Sequence, residues 1–115
     1  MICYWHGRAV SENQRLLPGR GRWRPNPEYK GFLESVAWAC KMHFEYFEGP
    51  VSVRLSMDLN PRMDALNVIK PVIDALELAG VFKNDKQVRS FSLYREDRGP
   101  KEDDRIGITV QDLKV

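Results

Sequence analysis

Apolar residues recur along this chain with two different periods, and the switch between them lays out its elements. In "VSVRLSMDL", residues 51–59, Val51, Val53, Leu55, Met57 and Leu59 alternate with Ser52, Arg54, Ser56 and Asp58. A period of two is the pattern of a strand with one buried face. Upstream, Tyr29, Phe32, Leu33, Val36, Cys40, Phe44 and Phe47 follow at three- and four-residue spacing, which predicts an amphipathic helix. Asn26-Pro27 opens it, Asn as N-cap and Pro where its missing N–H is not needed, and Gly49-Pro50 closes it. Asn60-Pro61 repeats that opening ahead of a second helix, whose apolar half is Leu66, Val68, Ile69, Val72, Ile73, Ala75, Leu76 and Ala79. Gly80 is placed to be the left-handed residue past its end. Residues 2–7, 88–95 and 106–110 read as strands, the last two partners across the polar turn "REDRGPKEDD". The order β-α-β-α-β-β predicts a small α/β (α+β) domain, a mixed sheet packed with two main helices.

A length of 115 residues suits one domain spanning 1–115. Charged residues make up 30% of it and hydrophobic ones 43%, the balance of a soluble globular protein rather than a disordered one. No apolar run approaches the ~20 residues of a membrane span, and "MICYWHGR" lacks a basic region followed by an apolar core, so a cytoplasmic protein is expected. Cys3 and Cys40 form no C-x-x-C, which argues against zinc and for reduced thiols. Cys40, Trp5 and Trp38 are expected in the core. His6 and His43 are too isolated to suggest a general base, and no Ser-His-Asp, Cys-His or P-loop arrangement is present.

The net charge is only +2, but its distribution is uneven. Arg8, Arg15, Arg20, Arg22, Arg24 and Lys30 face only Glu12 and Glu28 within residues 8–30, and Trp23 stands among the arginines. A basic loop with an aromatic can neutralise phosphates and stack on an exposed base. A solvated surface loop has the same composition.

The polar side of the second helix carries Asp64, Asn67, Lys70, Asp74 and Glu77. A charged outer face is ordinary for an amphipathic helix. Two details go further. Pro71 removes the donor that would reach the Asn67 carbonyl, which should kink the helix or delay its start, at a cost of ~3 kcal/mol in an ordinary interior. In addition Asp58, Asp64 and Asp85 stand at element ends, from which they can converge. Converging carboxylates suit Mg²⁺ or Mn²⁺, and a lysine beside them can meet the charge that builds on a phosphate during hydrolysis. With the basic loop, these residues outline a metal-dependent nuclease.

The stretch "MDALNVIKPVIDALELAGVFKNDKQV", residues 63–88, resembles the signature of the RusA-type Holliday junction resolvase family: D-x-D-N-x-x-K, a D-A-L-x-x-A-G segment and a D-D-x-x-V ending. "GRAVSENQR" and "NPEYKGFLESVA" resemble the family's N-terminal loop and helix. The resemblance implies a small α/β homodimer that cleaves four-way DNA junctions with Mg²⁺. It makes Asp64 the first catalytic aspartate, Asn67 the asparagine, Lys70 the catalytic lysine and Asp85 the second aspartate of the D-D pair. Arg15, Arg20, Arg22, Trp23, Arg24 and Lys30 become the DNA contacts. Two positions depart from the pattern: Leu66 stands for the second aspartate of D-x-D-N, and Asn84 for the first of D-D. Either Asp58 takes the missing metal-binding role, or Asp74 does, or the chain binds branched DNA without efficient cleavage. A protein-interaction domain is the reading outside nucleic acids altogether.

Overall fold

The computed structural model describes residues 2–19 and 21–113. Its spine is the strand that alternation made plainest. β4 (Val51–Leu59) lies second from one edge of a four-stranded sheet, between β5 (Val88–Asp97), which runs parallel to it, and β6 (Asp104–Asp112), which runs antiparallel. β1 (Cys3–Gly7) pairs antiparallel with the far side of β6 and forms the other edge. Val51, Val53, Leu55, Met57 and Leu59 are fully buried, in one core with residues of both helices. The helices therefore cover one face of the sheet, and the alternate residues Arg54, Ser56 and Asp58 belong to the open face.

α1 (Pro27–Lys41) starts as expected. Asn26 is its N-cap, accepting the Glu28 N–H at 3.0 Å, with Pro27 in the first turn. It stops at Lys41 rather than at Gly49, and Phe44 and Phe47 pack against the core from the loop that follows. Phe47 donates its N–H to the Val81 carbonyl at 2.7 Å, so that loop is pinned where α2 ends. Trp38 is 69% exposed, not core: two residues beyond buried Val36, it sits about 200° around the helix, on the outer side.

α2 (Leu66–Leu78) begins later than the Asn-Pro signal suggests. Asn60 caps a turn instead. Its Oδ1 accepts the Arg62 N–H at 3.0 Å and its carbonyl accepts the Met63 N–H at 2.8 Å. A fixed proline φ suits the second position of a β-turn as well as the first turn of a helix, so the dipeptide alone does not choose. Pro71 remains inside the helix and buried, which leaves the Asn67 carbonyl without its helical donor. Gly80 closes the helix at φ 77°, with Val81 N–H donating to the Leu76 carbonyl and Gly80 N–H to that of Glu77.

The polar segment after β5 is not a hairpin tip. It carries the chain past the end of β4, and β6 inserts between β1 and β4. Burial explains the order. Ile106, Ile108 and Val110 of β6 are buried, which suits an inner strand, whereas β5 is largely exposed and carries Arg89, Arg95, Glu96 and Asp97, which suit an edge. The basic loop is also more ordered than composition indicated: a 3₁₀ turn at Glu12–Gln14 precedes a hairpin of β2 (Leu16–Gly19) and β3 (Arg22–Pro25).

One buried carboxylate joins the strand ends. Asp104, 1% exposed, accepts the Ala9 N–H at 2.8 Å through Oδ2. Its Oδ1 accepts the Asn60 N–H at 3.0 Å and the Arg98 Nε–H at 2.6 Å. Removing one partner of a buried, hydrogen-bonded pair strands the other, so Asp104→Asn is expected to cost about 3 kcal/mol in urea unfolding. A loss below about 1 kcal/mol would show that the Arg98 pair is not stabilising.

Candidate nuclease site on the flank of the second helix

Two segments that start at the Asp104 junction form the walls of a groove. Ser11, Asn13 and Gln14 line one side, and Asn60, Arg62, Met63, Asp64 and Asn67 the other, around about 330 Å³. The second wall is held from both ends. Asp104 takes the Asn60 N–H, while Arg95 on β5 donates to the Asn60 and Met63 carbonyls. Met63 immediately precedes Asp64, so these bonds fix where that carboxylate starts.

Asp64 is exposed and half committed to the helix. Its Oδ1 accepts the Leu66 N–H at 3.0 Å, in the manner of a helix cap, and its Oδ2 lies 3.4 Å from the Asn67 amide nitrogen. Leu66 is 69% exposed, so it is not part of the apolar stripe to which spacing assigned it. Its side chain leaves the helix toward solvent, where an aspartate would fit without repacking.

One turn further on, Lys70 gathers two carboxylates. Its Nζ lies 3.0 Å from Asp74 Oδ1 and 3.7 Å from Asp85 Oδ2. The Lys70 ammonium is held above the ordinary lysine pKa by its hydrogen bond to Asp74 and that residue's charge, with smaller help from Asp85 and Glu12 and against some desolvation. Tyr29, buried on α1, is raised too: burial comes first, then the charges of Asp74 and Glu12, with Arg15 and Lys70 opposing. Both groups thus keep their protons across the neutral range. The 3₁₀ turn Glu12–Gln14 packs on α2, which brings Glu12 into this field.

Asp85 opens a second 3₁₀ turn, Asp85–Gln87, that Asn84 caps by accepting the Lys86 N–H at 2.8 Å. Asn caps about as well as Asp, so the amide at residue 84 has a structural role that needs no charge. Gln87 completes the cap: its Oε1 accepts the Lys83 and Asn84 N–H groups, while Nε2 donates to the Phe47 and Gly49 carbonyls, both at 2.9 Å.

The expected residues therefore fall into places that are only partly shared. Asp64 and Asn67 stand together, Lys70 is joined to Asp74 and Asp85, and Asp58 is on the open face, opposite Glu96 and Arg105 in the strand register and close enough to Tyr94 to raise its pKa after the larger effect of Glu96. Arg15, Arg22, Trp23 and Arg24 are exposed on or beside the hairpin, and Lys30 is on α1, 3.8 Å from Glu34. Arg20 lies outside the described residues. Sequence reasoning missed Arg95, Gln87 and Asp104, which act through the backbone groups they hold and so leave no motif.

Comparison with known families shows which family the chain belongs to. The profile described as Endodeoxyribonuclease RusA matches residues 8–111. The chain belongs to the RusA endodeoxyribonuclease family. RusA proteins are nucleases of the Holliday junction resolvase type, and the match takes in both groove walls, α2, the Asp85 turn and the basic hairpin. No curated protein matches the chain. Among the described residues no helix is long and apolar enough to cross a membrane.

Titration of Lys70 checks the electrostatics. Its stabilising contribution is fully present below the unfolded lysine pKa and is lost as pH rises through the raised folded value; with the side chain 48% exposed, solvent screening keeps it small. In an NMR titration, Asp74→Asn is expected to lower the Lys70 midpoint more than Asp85→Asn does. Equal or reversed effects would contradict the assignment of Asp74 as the main partner.

Proposed function

We propose that this RusA family member is a Mg²⁺- or Mn²⁺-dependent endonuclease that acts as a homodimer on four-way DNA junctions. The observation that carries the reading is the meeting of Lys70 with Asp74 and Asp85 one helical turn past Asn67, which itself pairs with Asp64, at residues marked by the resemblance to the family's signature. Among the described residues no three metal-ligating side chains converge. Mg²⁺ is commonly held by one or two carboxylates and completes its shell with waters and substrate phosphate oxygens. Asp64 and Asp85 would hold the ion, which when bound activates water and neutralises phosphate charge. Leu66 brings no ligand, and Asp58 is on the far face of the sheet from α2, so Asp74 is the better placed of the two candidate substitutes.

The chain's own residues account for the rest. Hydrolysis of a phosphodiester adds negative charge to the non-bridging oxygens, and Lys70, kept protonated by Asp74, is the cation that meets it. Asp74 positions Lys70. Asn67 steadies the free oxygen of Asp64, whose other oxygen is anchored at Leu66. Arg22, Arg24 and Lys30 take phosphates along the approach, and a two-fold dimer presents two such sites to the symmetric strands of a junction.

A second reading, binding of branched DNA without efficient cleavage, is favoured by one observation, the apolar residue at position 66. Synthetic four-way junctions incubated with Mg²⁺ or Mn²⁺ separate the two. Cleavage is expected, with Asp64→Asn, Asp85→Asn and Lys70→Met each slowing it on the order of 10²-fold or more. An uncut junction in both metals, or variants that cut as fast as wild type, would contradict a nuclease centred on these residues. Because residue 66 faces solvent in the first helical turn, Leu66→Asp should change stability by no more than about 0.5 kcal/mol, or raise it slightly. A rate gained by that change alone would mark the natural site as weakened.

A further inference from the structure

The hairpin of β2 and β3 has two unlike faces. In its register Leu16 lies opposite Pro25 and Pro18 opposite Trp23, while Leu17 lies opposite Arg24 and Gly19 opposite Arg22. Directly opposed residues share a face and successive ones alternate. One face is thus Leu16, Pro18, Trp23 and Pro25, and the other carries Arg22 and Arg24. A hairpin merely solvated at the surface has no reason to keep a tryptophan 66% exposed with three apolar neighbours.

The ribbon is also firmly rooted. Asn26, at its base, donates its N–H to the Arg15 carbonyl at 2.9 Å and its side-chain amide to the Gln14 carbonyl at 2.7 Å, while capping α1. This places Trp23 over a shallow hollow of about 250 Å³, walled by Glu12, Asn13, Arg15 and Leu16. Asn13 also lines the Asp64 groove, so hollow and groove form one continuous surface.

The chemistry of the walls limits the occupant. An indole face offers stacking to a flat ligand. An amide, a guanidinium and a carboxylate offer donors and acceptors at its edge, the groups with which side chains address bases. Glu12 disfavours a phosphate there, whereas Arg22 and Arg24 favour one on the opposite face. We propose that the hollow beside Trp23 holds one unstacked nucleobase, with the ribbon inserted at the branch so that phosphates run along its arginine face. The inference rests on the branched-DNA reading and adds a base subsite that a linear duplex, with its bases stacked, does not fill.

Junction binding without divalent ions, followed by fluorescence anisotropy, tests it with exposed-site variants that leave the core alone. Trp23→Ala is expected to weaken junction binding about 10-fold while changing binding to a linear duplex by no more than about 2-fold, and Trp23→Phe to retain most of the affinity. Junctions with single abasic nucleotides around the branch locate the base. At one position the missing base should weaken wild type by a similar factor and leave Trp23→Ala unaffected. The subsite is overturned if Trp23→Ala binds the junction as wild type does, or if every abasic position weakens both proteins alike. Wild type that binds and cuts junctions with Trp23→Ala unchanged removes the subsite alone; wild type that binds no junction even at low salt removes the nuclease reading with it.

Discussion

Asp104 is a carboxylate taken almost completely out of water, and three chain segments are arranged so that it can stay there. Its oxygens need donors, and the Ala9 and Asn60 amides and the Arg98 guanidinium supply them. The consequence reaches the surface. Residues 11–14 and 60–67, the walls of the groove, leave the core from Ala9 and Asn60, so their separation is set by one side chain. Arg95 continues the arrangement on the far side of the turn at residues 60–63, and the Asp64 carboxylate comes out of a backbone held at three points rather than from a free loop. Sites of this kind need such support, since a misplacement of about 1 Å costs much of the rate.

α2 both closes the core and carries the candidate site. Its buried side closes the core over β4, and its other side divides into an aspartate–asparagine pair at the start and a lysine between two carboxylates one turn later. Pro71 follows Lys70 on the buried side and costs the helix a hydrogen bond at the Asn67 carbonyl, within the candidate site. Asp64 doubles as a cap for the first turn, which makes Asp64→Asn the informative substitution: it keeps an acceptor for the Leu66 N–H and removes only the charge. Leu66 and Asn84, the two departures from the family pattern, differ in kind. Asn84 has a cap to maintain and does so as an amide. Leu66 has no buried contact that would require leucine, and nothing in the structure explains it.

Much of the architecture was legible because it rests on local periodicity. The alternation in β4, the Asn26-Pro27 start of α1 and the Gly80 stop of α2 are each dictated within a few residues, and each is found. The errors came where two local solutions use the same residues or where partners are distant. Asn-Pro at 60–61 fits a turn as well as a helix start. β5 and β6 look like a hairpin until burial is compared, and that comparison depends on the whole sheet. Trp38 looked like core by residue type and is turned outward by its angle around α1. For the candidate site, the motif pointed to Asp64, Asn67, Lys70 and Asp85, but only three-dimensional placement shows that Asp58 faces the other side of the sheet, that Asp74 is the principal partner of Lys70, and that Gln87, Arg95 and Asp104 hold the loops on which the candidate site stands.

The central claim is that this flank of α2 binds a hard divalent ion through Asp64 and Asp85 for phosphodiester hydrolysis. Anomalous scattering from crystals soaked in Mn²⁺ addresses it without depending on a DNA substrate. The account predicts a manganese peak within coordination distance of Asp64 and Asp85, lost from both Asp64→Asn and Asp85→Asn crystals. A peak confined to other carboxylates, or no peak here at saturating Mn²⁺, would contradict it.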